Sequence, residues 1–248
     1  MNKCLTAILL ALSATASAQR LQPAPRLVVN ITIDQLRTDY IQAFAPLYGP
    51  DGFKKLLSEG RVYEAASYDF LPIDRASAVA SISSGTTPYY NNIVSSQWLD
   101  RATLRPVYCV ADSKVGTSPR LLSTSTIGDE LKVATGGSAL VYALAFSRDA
   151  AVLSAGHAAD GAVWVDDSRG VLATSAYYPQ KTHKWLNAYN AVYSQRASDD
   201  RTRNLAVAHA AQACVVEQAM GRDAVTDYLA VTLSAKGRGA ANWQTDME

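Results

Sequence analysis

The sequence predicts an α/β fold, a three-layer sandwich with a mainly parallel central sheet. Residues 27–33 and 228–233 are apolar runs rich in β-branched side chains. A strand that is apolar on both faces is typical of the interior of a parallel sheet, because helices cover both of its sides. Between these two runs, strand-like stretches alternate with helix-like ones, which is the order that parallel strands joined by crossover helices require.

The N-terminal segment has the composition of a secretion signal. Lys3 precedes a mostly apolar run over residues 5–14, and the small residues Ala16 and Ala18 precede Gln19. Such a run is too short to cross a bilayer core, which takes about 20 residues. We therefore expect residues 1–18 to be a signal peptide and residues 19–248 to form a single α/β domain. We expect export to the periplasm or to the outer membrane.

The first half of the domain is divided by turn residues. Asp34 follows the first apolar run, Pro46 and Pro50 separate two short helical stretches, and Gly85 ends a third. In order, the predicted elements are a strand at residues 27–33, helices at 36–44 and 52–57, a strand at 61–68, a helix at 75–84 and a long irregular excursion at 86–119.

The second half shows the same alternation of helices and strands. Asp129 and Glu130 lie in the first turn of a predicted helix, where negative charge is favourable, and Gly221 follows a long helical stretch. In order, the predicted elements are a helix at residues 126–133, a strand at 139–145, a helical turn at 149–153, a strand at 163–165, a helix at 201–220 and a strand at 228–233.

The composition argues against two classes of partner. The chain has 23 Lys and Arg and 22 Asp and Glu residues, a formal net charge of +1. Such a balance attracts neither nucleic acid nor an anionic membrane surface. No second apolar run is long enough to cross a membrane. We expect no nucleic-acid partner and no transmembrane segment.

The cysteines beyond the signal peptide are Cys109 and Cys214. An oxidising compartment permits a disulfide between them, and two separate buried thiols are the alternative. The sequence leaves both open. Neither cysteine has a neighbouring Cys or His at the spacing of metal ligands, which argues against a zinc-finger-like site.

Few side chains are placed for catalysis. Asp34 follows a predicted parallel strand and would lie at the carboxyl edge of the sheet, where open α/β sheets bind ligands. His157 lies in a glycine turn, where we interpret the ring as a structural hydrogen-bonding group. We interpret His183 as a solvated side chain in a polar loop and His209 as a packed or surface residue. No glycine-rich phosphate loop is present.

Several motifs together resemble the periplasmic PafA-like members of the alkaline phosphatase superfamily, which includes type I phosphodiesterases. The motifs that carry the resemblance lie at residues 28–37, 52–60, 97–101, 118–122, 126–131 and 155–160. The resemblance implies an alkaline-phosphatase-like fold that lacks its C-terminal part. It also implies a family activity of two-zinc phosphomonoesterases or phosphodiesterases with a threonine nucleophile.

The family's site residues, transferred by this resemblance, are mostly replaced. Asp34 matches the first metal-ligand aspartate. The threonine nucleophile falls on Arg75, which cannot attack phosphorus because its guanidinium is never deprotonated. The phosphate-binding asparagine falls on Ser96, and the lysine and arginine that contact the phosphoryl group fall on Ser147 and Asp149.

Two further zinc-ligand positions of the family are also replaced, by Lys236 and Ala240. We therefore expect no catalytic residue and no cofactor, and we expect Arg75 to form an ion pair with Asp34. The main prediction is an exported, non-catalytic pseudo-phosphatase, a binding or structural subunit of a cell-envelope complex. We expect a protein partner over the incomplete sheet, and an oligomer is possible. The alternative is a zinc-dependent phosphatase or phosphodiesterase with relocated or partner-supplied catalytic residues.

Overall fold

The structure, a computed structural model, describes residues 23–193, 197 and 199–235. Its strands are β1 (Leu27–Asp34), β2 (Gln97–Leu99), β3 (Pro106–Tyr108), β4 (Ala111–Asp112), β5 (Gly116–Thr117), β6 (Val141–Ala145), β7 (Gly161–Val165), β8 (Leu172–Ala173) and β9 (Asp227–Ser234). Its α-helices are α1 (Thr38–Ala43), α2 (Phe53–Glu59), α3 (Arg75–Ser84), α4 (Pro88–Asn91), α5 (Ile127–Ala134), α6 (Arg148–Ala155), α7 (Gln180–Val192) and α8 (Asp200–Glu217). The signal-peptide prediction lies outside the described residues.

The central sheet is mainly parallel, as predicted. Within the described residues it has five strands in the order β1-β9-β6-β7-β8. The pairs β1/β9, β9/β6 and β6/β7 are parallel, and the short β8 is antiparallel to β7. The first and last apolar runs of the sequence are neighbours in the sheet. The carboxyl ends of β1, β6 and β9 therefore lie at one edge.

Helices cover both faces of the sheet, and β6 shows how its side chains divide between them. Ala143 and Ala145 point into a core shared with α3 and α6, whereas Tyr142 and Leu144 point into a core shared with α7 and α8. All of these side chains are buried. Burial of a side chain such as Leu144 stabilises a fold by about 1.5–3 kcal/mol. This is the predicted three-layer arrangement.

Two sequence predictions of local structure were wrong, and one helix was missed. Residues 61–68 form no strand, and their side chains are exposed. Residues 86–119 are not wholly irregular, because they contain α4 and two small antiparallel sheets, β2/β3 and β4/β5. The helix α7 was not predicted. Its composition is mostly polar, which obscures its apolar face in the sequence. On that face Trp185 and Tyr189, four positions apart, are buried.

The strand β1 lies at the margin of the sheet. Within the described residues it pairs with β9 on one side and has no strand on the other. Val29 and Ile31 point to the same face and are 47% and 58% exposed. The described part of the chain thus carries a long apolar edge strand, which isolated domains usually avoid.

The cysteines are separate buried thiols, so the disulfide alternative is wrong. Cys109 lies in the core beside α3 and α6, and Cys214 lies in the core on the opposite face of the sheet. Burial raises the pKa of both thiols. Among the residues that the structure describes, no helix is both long and apolar enough to cross a membrane.

Candidate functional site

The candidate site is built where three chain segments meet at the carboxyl edge of the sheet. The first contains Asp34, the last residue of β1. The second is the start of α3, where Asp74 is the N-cap and Arg75 the first helical residue. The connection from β6 into α6 brings Asp149 to the same place. Binding sites of parallel α/β sheets lie in this position because successive loops open there.

Asp74 fixes the start of α3. Its carboxylate accepts hydrogen bonds from the backbone N–H of Ser77 at 2.9 Å, the backbone N–H of Ser96 at 2.6 Å and the hydroxyl of Ser95 at 2.7 Å. Ser77 completes the capping box, because its Oγ accepts from the backbone N–H of Asp74. Burial raises the pKa of Asp74, but these hydrogen bonds outweigh it and hold the pKa below the usual value.

Arg75 forms a two-pronged ion pair with Asp149. Its Nε lies 3.2 Å from both carboxylate oxygens, and its Nη2 lies 2.9 Å from Oδ2. The Asp149 side chain is fully buried and also accepts from the Ser147 hydroxyl at 2.7 Å. The guanidinium of Arg75 stacks on the ring of Phe146 at 5.3 Å. This geometry pairs the fully buried charge of Asp149 with the half-buried guanidinium of Arg75.

The predicted pair between Arg75 and Asp34 is present but weaker. The Nη1 of Arg75 lies 4.0 Å from Oδ2 of Asp34, beyond hydrogen-bonding distance. Gln35 reaches the same oxygen at 3.5 Å. Burial raises the pKa of Asp34, and the opposing effects of Arg75 and Gln35 do not cancel it. Asp34 is therefore less well compensated than Asp149.

The structure brings together most of the predicted site residues. Ser96 lines the same cavity as Asp34 and Arg75, and Ser147 lies beside Asp149. Lys236 and Ala240 lie outside the described residues. The Arg75–Asp149 pair was not predicted from the sequence. A signal for this pair was present in the sequence, because Arg75 and Asp149 both replace family site residues and carry opposite charges.

A cavity of about 570 Å³ opens beside Asp34. Its walls combine polar groups with apolar side chains. The polar or charged members are Thr32, Asp34, Gln35, Asp74, Arg75 and Ser96, and the larger apolar or aromatic members are Ile33, Tyr68, Ile73, Val79 and Ile82. Ile73 and Ile82 are 45% and 38% exposed. The cavity can therefore hold an apolar group as well as a charge.

The histidines take no part in this site. The ring of His157 contacts Asp129 through Nδ1 and the carbonyl of Leu122 through Nε2, each at 3.1 Å, which confirms its structural role. His183 was wrongly assigned to a loop. It lies in α7 and its Nε2 contacts the carbonyl of Ser175 at 3.0 Å. His209 is an exposed residue of α8 and lines a separate cavity.

Comparison with known proteins identifies the family. Residues 28–238 match the family model of type I phosphodiesterases and nucleotide pyrophosphatases. The chain belongs to this family. It is also 37% identical over 177 residues to the alkaline phosphatase PhoV of Synechococcus elongatus and 35% identical over 179 residues to the alkaline phosphatase PafA of Elizabethkingia meningoseptica. These alignments cover 67% and 68% of this chain.

The chain spans about a third of the length of these curated relatives, namely 32% and 33%. The crystal structure of wild-type PafA superposes on 86% of this chain and 53% of its own, with a TM-score of 0.78 and 27% identity. The fold of this family member is therefore alkaline-phosphatase-like, as the resemblance implied. Because the named relatives are alkaline phosphatases, the comparisons favour the predicted hydrolase alternative over the predicted pseudo-phosphatase.

The described residues do not fit the two zinc ions that the resemblance implies. A two-metal centre needs several Asp and His ligands around ions a few ångström apart. In the described ranges no group of three or more His, Cys, Asp or Glu side chains is placed to hold a metal ion. A guanidinium, that of Arg75, lies beside Asp34 instead.

Proposed function

We propose that this chain is a non-catalytic member of its family, which uses the cavity at the carboxyl edge of the sheet for binding. The observation that carries the proposal is the ion pair between Arg75 and Asp149. By the resemblance, Arg75 occupies the position of the nucleophile, and a guanidinium cannot serve in that role. Asp149 holds it in place through both oxygens.

The charges around the cavity support the same proposal. The carboxylates of Asp34 and Asp149 face the guanidinium of Arg75, and Asp74 also lines the cavity. Arg148 stacks over the ring of Tyr108 at 4.6 Å. Phosphoryl transfer needs cationic groups around the equatorial oxygens. This balance of charges would repel a phosphate dianion.

A zinc-dependent phosphatase or phosphodiesterase is the second candidate, and the family comparisons favour it. Relatives at 37% and 35% identity are named alkaline phosphatases, and the matched segments make up about a third of their length. In this candidate, catalytic and zinc-binding residues come from outside the described residues or from a second polypeptide. The first candidate rests on the geometry of Arg75 and the second on family membership.

We further propose that the chain works outside the cytoplasm as a subunit of a cell-envelope complex. The apolar N-terminal run supports export. The open edge of β1, where Val29 and Ile31 are exposed, supports a protein partner that would cover this edge strand. A second copy of the chain is the simplest form of such a partner.

Zinc content and turnover together decide between the two candidates. The measurement is elemental analysis of the full chain, purified with any copurifying partner, alongside hydrolysis of an aryl phosphate. We expect no stoichiometric zinc and no turnover. About two zinc ions per chain with turnover that a chelator abolishes would instead establish the hydrolase.

A further inference from the structure

The cavity beside Asp34 carries an excess of negative charge. Arg75 and Asp149 neutralise each other through three contacts of 2.9–3.2 Å. Asp74 is compensated by the three donors from Ser77, Ser95 and Ser96. The contacts of the Asp34 carboxylate are weaker: Gln35 donates through its side chain at 3.5 Å and through its backbone N–H, and the guanidinium of Arg75 lies 4.0 Å away. Among the described residues, the surplus charge of this cavity lies on Asp34.

The other walls of the cavity suit the rest of an organic cation. Tyr68 and Asp34 line the same cavity; burial raises the pKa of the Tyr68 phenol, and the charge of Asp34 raises it further. An ammonium group between a carboxylate and an aromatic ring gains both a charge-assisted hydrogen bond and a cation–π contact. Ile73, Val79 and Ile82 line the cavity beyond these two residues. They supply an apolar surface for an alkyl chain.

We propose that this cavity binds a primary ammonium group on an alkyl chain, with the ammonium on Asp34 and the chain against Ile73 and Ile82. The inference rests on the proposed non-catalytic function and names the class of ligand for the same cavity. A free alkylamine and a lysine side chain share this chemistry. Phosphate esters carry the opposite charge to an ammonium group. The carboxylate of Asp34 would repel them.

Isothermal titration calorimetry of the full chain at pH 7 tests the proposal with a matched series of probes. The series is hexylamine, hexanol and hexyl phosphate, which share one alkyl chain and differ in charge. We expect hexylamine to bind about tenfold more tightly than hexanol and hexyl phosphate to bind more weakly than both. Equal binding of hexylamine and hexanol overturns the proposal, and so does tighter binding of hexyl phosphate.

Two variants locate the binding in the cavity. Asp34→Asn keeps the shape of the side chain and should bring hexylamine down to the affinity of hexanol. Asp51→Asn removes an exposed carboxylate that does not line the cavity and should leave both affinities unchanged. An undiminished preference for hexylamine in Asp34→Asn overturns the site. The wild-type series needs no variant, so a misfolded Asp34→Asn protein does not prevent the test.

The peptide acetyl-Leu-Lys-Leu-amide, compared with its norleucine analogue, distinguishes the two sources of the ammonium group. A higher affinity for the lysine peptide than for hexylamine indicates a protein partner. A higher affinity for hexylamine indicates a free amine. Both outcomes support the proposal. Failure of this inference is distinct from failure of the proposed function. The first is a loss of amine preference in a binding assay, and the second is zinc-dependent turnover.

Discussion

The guanidinium of Arg75 forms an ion pair with the carboxylate of Asp149, 74 positions further along the chain. The shortest distance, between Nη2 and Oδ2, is 2.9 Å. Asp149 is inaccessible to solvent, whereas Arg75 is 29% exposed on its side chain. The pair joins the first turn of α3 to the first turn of α6. Removal of the Arg75 side chain would therefore leave the buried charge of Asp149 without its partner.

Replacement of Arg75 by methionine should lower the free energy of unfolding by about 3 kcal/mol, because it leaves the buried Asp149 unpaired. Chemical denaturation measures the loss. Arg37→Met is the matched control, since Arg37 pairs with Asp39 at 2.7 Å on the surface with both side chains more than half exposed. That control should leave the free energy of unfolding nearly unchanged, because exposed ion pairs contribute little. A similar cost for both variants would contradict the assigned role of the pair.

Metal removal should leave the stability of the protein unchanged. A zinc ion bound to the folded state stabilises it by mass action, so its removal lowers the unfolding midpoint. The described residues offer no cluster for such an ion. We expect equal midpoints before and after EDTA treatment in a thermal unfolding experiment. A clear drop after EDTA, restored by added zinc, would show that ligands outside the described residues complete a metal site.

The His157–Asp129 pair should make stability depend on pH. The hydrogen bond with Asp129 raises the pKa of His157 against the opposing effect of burial. The folded protein therefore holds this proton more tightly than the unfolded chain. The resulting stabilisation is fully present below the unfolded pKa of about 6.5 and is lost as pH rises through the higher folded pKa.

Denaturation of the wild-type protein and of His157→Asn between pH 5.5 and 8.5 measures this dependence. The difference in unfolding free energy between the two should be largest at the acid end of the range. His209→Asn is the control because His209 is an exposed residue of α8. A difference that stays constant with pH would refute the titration of His157.

Gly156→Ala should destabilise the fold more than Gly85→Ala. Both glycines have a positive φ, +79° and +68°, which L side chains rarely adopt. A Cβ on Gly85 meets nothing within 4 Å, but one on Gly156 would lie 2.6 Å from Oδ2 of Asp129 and also overlap the hydroxyl of Thr126. The backbone adds to the difference, because Gly85 has the left-handed helical ψ of 16°, which costs an L residue about 1 kcal/mol, whereas Gly156 has a ψ of −158°, in a region essentially confined to glycine. Equal midpoints in denaturant for the two variants would count against this crowding.

Sequence patterns predicted the elements that local chemistry determines. The apolar run that became β1 and the glycine-terminated helix Arg75–Ser84 were found because burial and capping leave local signals. The helix α7 was missed because a polar composition masked the buried Trp185 and Tyr189. The partners of Arg75 depend on how α3 and α6 pack, and no local pattern encodes that contact. The pairing with Asp34 was predicted, but the stronger pairing with Asp149 was not.

The cap of α3 also has a mechanical consequence. The carboxylate of Asp74 holds Ser95 and Ser96 as well as its own helix, and Ser96 is followed directly by β2. The carbonyl of Ser96 in turn accepts from the backbone N–H of Cys109, just after β3. The start of α3 and the β2/β3 hairpin are thus fastened to each other through one carboxylate, so neither can shift relative to the other without breaking these hydrogen bonds.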